Sequence, residues 1–94
     1  MLAGVVLNST PTTIFTVPDG LLPRLAINIC NTSSSNVNVV IEVSKDNNTW
    51  YTIMDTTVNS KTSIQLTYIY VTHRTIIRGV ASVPGVVHVV VLGA

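Results

Sequence analysis

The sequence predicts an all-β fold: a small antiparallel β-sandwich of seven or eight strands with immunoglobulin-like or jelly-roll wiring. Three observations predict it. Val, Ile and Thr, which suit a pleated sheet and are stiff in a helix, supply about two-fifths of the 94 residues. Apolar and polar residues alternate with period two in one segment after another, and no window keeps a 3.6-residue period. Residues that favour turns separate these segments at short intervals.

The segments follow in chain order. Residues 1–12 read as an apolar arm, "MLAGVVL", on a polar hinge, "NSTPTT", ahead of a single sandwich domain over 13–94. Such an arm either covers its own sheet or adds a strand to a neighbour's open edge. "TIFTV" (13–17) is a strand ended by Pro18-Asp19-Gly20, where Pro18 lacks a donor and Gly20 permits the turn. In "RLAINICN" (24–31), Leu25, Ile27 and Ile29 share one face. "NTSSSN" (31–36) is a polar loop, and in the following "VNVVIEVS" Val37, Val39, Ile41 and Val43 share a face. Asp46, Asn47 and Asn48 suit a tight turn, because short polar side chains bond nearby backbone and tolerate positive φ. "WYTIM" (50–54), "SIQLTYIY" (63–70) and "TIIRGV" (75–80) are strands, Pro84-Gly85 is the last turn, and "VVHVVVL" (86–92) closes the sandwich.

The closing strand is apolar on both faces. Val87, Val89 and Val91 face the core, which leaves Val86, His88, Val90 and Leu92 on the side where a half-solvated strand carries polar residues. A two-layer sandwich has no third layer to cover them. Three buried aliphatic side chains contribute roughly 5–8 kcal/mol gross, against an estimated ~4–15 kcal/mol for the freedom lost on association. The strand is therefore expected to form part of a larger or symmetrically repeated contact. Leu2, Val5, Val6 and Leu7 of the arm, with Val86, His88, Val90 and Leu92, are the expected interface.

Composition narrows the function classes. Charged residues are 10% of the chain, against about 25% in ordinary domains. The net charge is +1, with Arg24, Lys45, Lys61, Arg74 and Arg78 scattered, so no field draws in nucleic acid or an acidic membrane. Cys30 stands alone and cannot form an intrachain disulfide; in an apolar run it reads as a small buried filler. The start lacks a basic n-region, and no run reaches the ~20 apolar residues of a membrane helix. The Asn-x-Ser/Thr triplets at Asn8, Asn31 and Asn47 read as chance in an Asn- and Thr-rich chain.

No catalytic, cofactor-binding or metal site is expected. A hydrolytic triad needs a serine positioned by His73 or His88, and no Gly-x-Ser-x-Gly elbow is present. Asp19, Glu42, Asp46 and Asp55 lack the spacing of an acid–base pair. Cys30, His73 and His88 lack close zinc-ligand spacing, and "KDNNT" is no EF-hand loop. Trp50, Tyr51, Tyr68 and Tyr70 are expected in core and cross-strand packing; their alternative role is a platform for carbohydrate.

"TVPDGLLPRLAINICNTSSSNVNVVIEVSKDNNTW" followed by "DTTVNSKTSIQLTYIYV" resembles the order of strand endings in small β-sandwich virion proteins of tailed bacteriophages, including capsid decoration or cement proteins. The likeness covers roughly residues 13–92 and departs at "VTHRT" (71–75), where similar sequences place an Ala-Gly turn. It implies a non-enzymatic protein that oligomerises and stabilises the head by bridging capsomers. The implied partners are further copies of itself and the major capsid protein or another virion protein, not nucleic acid or membrane. Its implied location is the virion, assembled in the host cytoplasm. A tail or baseplate component, or a carbohydrate-binding receptor module, are the alternatives.

Overall fold

Along the central strands buried side chains alternate with exposed or half-buried ones, and the inward sets are mainly aliphatic. The computed structural model describes residues 2–20 and 23–93, with the side chains of Leu2 and Tyr68 outside the description. Among these residues the strands are β1 (Leu2–Val6), β2 (Thr12–Thr16), β3 (Arg24–Asn31), β4 (Val37–Ser44), β5 (Tyr51–Val58), β6 (Ser63–Tyr70), β7 (Ile76–Ala81) and β8 (Val87–Gly93). Strands β3, β4 and β6 keep the bounds read from the alternation. β5 runs further, because Thr56 and Val58 continue the inward set of Met54 beyond "WYTIM".

Two four-stranded antiparallel sheets face each other, ordered β1-β8-β3-β6 (sheet I) and β2-β7-β4-β5 (sheet II). The pairs β1–β8 and β3–β6 fall in sheet I, and β2–β7 and β4–β5 in sheet II. One long hairpin, folded so that successive strand pairs alternate between layers, gives this order. That is jelly-roll wiring, so the choice left open by the alternation is resolved against the immunoglobulin order.

The core lies between the sheets. Leu25, Ile27 and Ile29 of β3 and Val87, Val89 and Val91 of β8 meet Val37, Val39 and Ile41 of β4 and Ile77 of β7, all at 0–1% exposure. A β-carbon on Gly79 would lie 3.1 Å from methyl groups of Leu7, Ile14 and Ile41. The missing side chain on β7 thus provides the space in which those three meet.

Three bulges interrupt the ladders, beside Ile14, beside Ala26 and between Ile41 and Glu42. In each case the register puts the extra residue on an edge strand: β2, β6 or β5. An irregular, twisted edge is a poor template for adding another strand.

The turns match their residues. Gly85 and Asn47 adopt φ of 81° and 59° in the turns before β8 and β5. Asn31, fully buried at the end of β3, fastens one end of the sandwich. Its Nδ2 donates to the carbonyls of Ser35 (2.7 Å) and Val58 (3.0 Å), and its Oδ1 accepts from the amide (3.0 Å) and hydroxyl (2.8 Å) of Ser33.

The leading segment is not a free arm. Residues 2–6 pair in register with β8, from Leu2 opposite Leu92 to Val6 opposite His88, and form the edge of the chain's own sheet. Leu7 follows at 0% exposure, its amide donating to the Val87 carbonyl (2.9 Å) and its carbonyl accepting from Gly85 (3.1 Å). Within this chain the segment extends its own sheet as an edge strand.

Candidate functional site

Two surfaces stand out. The first is the outer face of sheet I, where the closing strand alternates as its sequence requires. Val87, Val89 and Val91 are buried, His88 is exposed, Val90 is half-buried and Leu92 is 43% exposed. The register sets Val6, 41% exposed, beside His88, and Gly4 beside Val90. Across β8, Ala26, Asn28 and Cys30 stand opposite Leu92, Val90 and His88. The middle of this face carries no charged side chain.

The expected interface set divides on this geometry. Val6, His88, Val90 and Leu92 share the outer face. Leu7 is corrected: it is sealed in its own core, because it fills the space over Gly79. Val5 and Val86 are corrected as well, since both pack against that core instead of standing free. Leu2 lies opposite Leu92 in the backbone register, with its side chain outside the described residues. Cys30 is half-exposed on this face instead of buried filler, because its neighbours Leu25, Ile27 and Ile29 took the inward positions.

The second surface is a groove of about 740 Å³ where the edges of the two sheets part, between β5 and β6. Val43, Tyr51 and Ile53 form one wall, Leu66, Ile69 and Tyr70 the other. The bulge in β5 leaves Ile53 as the residue without a partner across the ladder, and it is 41% exposed. The "SKDNN" turn and residues 71–75 close one end. There Lys45 Nζ donates to Thr72 Oγ1 (2.8 Å) and to the His73 carbonyl. Asp46 accepts from the amides of Thr49 (2.8 Å) and Asn48 (2.9 Å) and from the Ser44 hydroxyl (3.0 Å). These bonds hold its carboxyl well below the usual range, at about 2, with the Thr49 amide the largest cause.

The aromatic residues do not share one place. Tyr51 and Tyr70 are 65% and 77% exposed at the groove, which corrects their expected place in core packing. Trp50 lies instead under the Arg78 guanidinium, 3.7 Å from its ring centroid, and Arg78 Nε donates to Glu42 Oε1 at 2.9 Å. Tyr68's side chain lies outside the described residues. The two groove tyrosines are nineteen residues apart in sequence and on different sheets; only the parting of two edges marks them as a pair. Of the residues considered for zinc, Cys30 and His88 are cross-strand neighbours. Among the described residues no three His, Cys, Asp or Glu side chains gather as a metal site. No helix of the described chain is long and apolar enough to cross a membrane.

No family model matches the chain, and no curated protein is similar to it. Among solved structures, the crystal structure of PirA is similar in fold. It aligns with a TM-score of 0.58 over 99% of this chain and 93% of that one, at 11% sequence identity. At that identity the likeness is one of architecture alone.

Proposed function

We propose that this chain is a structural protein of a tailed-bacteriophage virion. In this reading it is a decoration or cement protein without enzymatic activity, which joins other copies of itself and the major capsid protein and bridges capsomers. The observation that carries the reading is the outer face of sheet I. Val6, Val90 and Leu92 form an apolar stripe with no charge at its centre. Such a stripe suits a protein contact, and it matches neither a nucleic acid nor an acidic lipid surface. A shell offers many copies of one binding position, so a modest contact per copy suffices when contacts are linked. The order of strand endings in the sequence supports the same reading.

Immunogold electron microscopy of particles from cells carrying the gene tests it. Label distributed over heads is expected. Label confined to tails moves the protein to a tail or baseplate role, and unlabelled particles overturn the proposal. Val6→Asp with Leu92→Asp is expected to lower the copy number per particle at least tenfold while the circular dichroism spectrum is unchanged. Undiminished occupancy would remove this face as the contact.

A further inference from the structure

We propose that the groove between β5 and β6 is a binding site for an uncharged saccharide, a property separate from attachment to a shell. Three features of the groove select this ligand class. First, an exposed tyrosine stands on each wall, Tyr51 from sheet II and Tyr70 from sheet I. Exposed rings offer flat apolar faces to the C–H face of a sugar ring, and phenol hydroxyls that donate or accept at its rim. Neither phenol has a hydrogen-bond partner among the described residues, so both are available.

Second, the charges that line the groove are one of each sign, and each is held in place by neutral partners. Lys45 is held by Thr72 and the His73 carbonyl, and Asp46 by its own turn. With one cation and one anion among the lining residues, the groove carries no net charge to favour a phosphate, a sulfate or a cationic ligand over an uncharged one. Third, the size and lining suit an amphipathic molecule of one or two rings. A volume of about 740 Å³ falls in the range of small-molecule sites. The apolar floor of Val43, Ile53, Leu66 and Ile69 gives way to hydroxyl-bearing Thr49 and Thr75 at the closed end. A wholly apolar ligand would leave both phenols unpaired.

An added peptide strand is the competing occupant, because β5 and β6 are both edge strands. The extra residues on β5 and β6 break the regular ladder that such a strand needs, which favours the saccharide.

The full chain, immobilised on a glycan array of neutral, sialylated and sulfated oligosaccharides, tests the proposal. Retention of neutral glycans is expected, reduced at least tenfold in Tyr51→Ala and in Tyr70→Ala. Tyr51→Phe, which keeps the ring and removes its hydroxyl, is expected to retain more binding than Tyr51→Ala. Both tyrosines are exposed, so a circular dichroism spectrum verifies that each variant folds. Three outcomes overturn the proposal: no glycan retained, acidic glycans alone retained, or neutral glycans retained equally by both alanine variants. None of these bears on where the protein sits in a particle, so this test and the immunogold test fail independently.

Discussion

The two long edges of the sandwich are built from similar strands and end differently. At the β1–β2 edge the chain passes from one sheet to the other through Leu7, whose side chain drops into the space over Gly79 and seals the layers. At the β5–β6 edge the chain also passes from one sheet to the other, but through Asn59–Thr62 at the far end, where Asn31 binds the Val58 carbonyl. Among the described residues no crossing side chain fills the other end, and the sheets part over Leu66 and Ile69. A sandwich edge is closed where a crossing residue is both apolar and met by a gap of its own shape. Where the crossing is polar and remote, the same architecture leaves a groove.

The sharpest way to break this contrast is to empty the sealed edge. Leu7→Ala is expected to cost about 2–5 kcal/mol, as other fully buried leucines do, read as a lowered urea midpoint with an unchanged slope. A loss under about 1 kcal/mol would mean that the seal contributes little beyond its surface area. Next comes the clamp of the open edge. Asn31→Ala strips the buried Val58 carbonyl of its side-chain donor and the Ser33 amide of its acceptor, and a loss of about 2–3 kcal/mol is expected. Hydrogen exchange should speed up at residues 58–63 ahead of the rest of the sheet.

The groove itself should be nearly silent in stability. Tyr51→Ala and Tyr70→Ala are each expected to change it by no more than about 0.5 kcal/mol, because both side chains are mostly in water. A larger loss would show that the rings hold the open edge together instead of awaiting a ligand. The smallest effect concerns the turn that closes the groove. The Asp46 carboxyl is lowered to about 2 from 3.8, so the folded turn favours the charged form. Its contribution is complete above the ordinary carboxylate range and fades as pH falls from about 4 through about 2. Asp46→Asn should therefore flatten the pH dependence of amide chemical shifts at Asn48 and Thr49 in that window, and move both upfield at neutral pH, where the charged acceptor is lost.

Much of this architecture was legible in particular residues. Ile27, Ile29, Val39 and Ile41 alternate without a break, so β3 and β4 and their inward faces followed from period two alone. The positive φ at Asn47 and Gly85 was equally local, set by side chains that tolerate that conformation. The end of β5 escaped, because Thr56 and Asp55 weaken the apolar contrast on an edge strand. The leading strand escaped too, because its partner β8 lies some eighty residues away. The outward facing of His88, Val90 and Leu92 followed from alternation. Val5 faces inward by the same period, opposite Val89, while Val86 and Leu7 lie beyond the ends of their strands and pack where the core has room.

The amino-acid sequence by itself determined the central strands and their turns, the two-sheet class and which face of each central strand is buried. Those depend on side-chain period and turn chemistry within a few residues. Only the tertiary structure decided the jelly-roll order, the seal of Leu7 over Gly79 and the meeting of Tyr51 with Tyr70 across an open edge. Each of these joins residues distant along the chain. Their proximity depends on which strands pair and where volume is left over, and no local pattern encodes that.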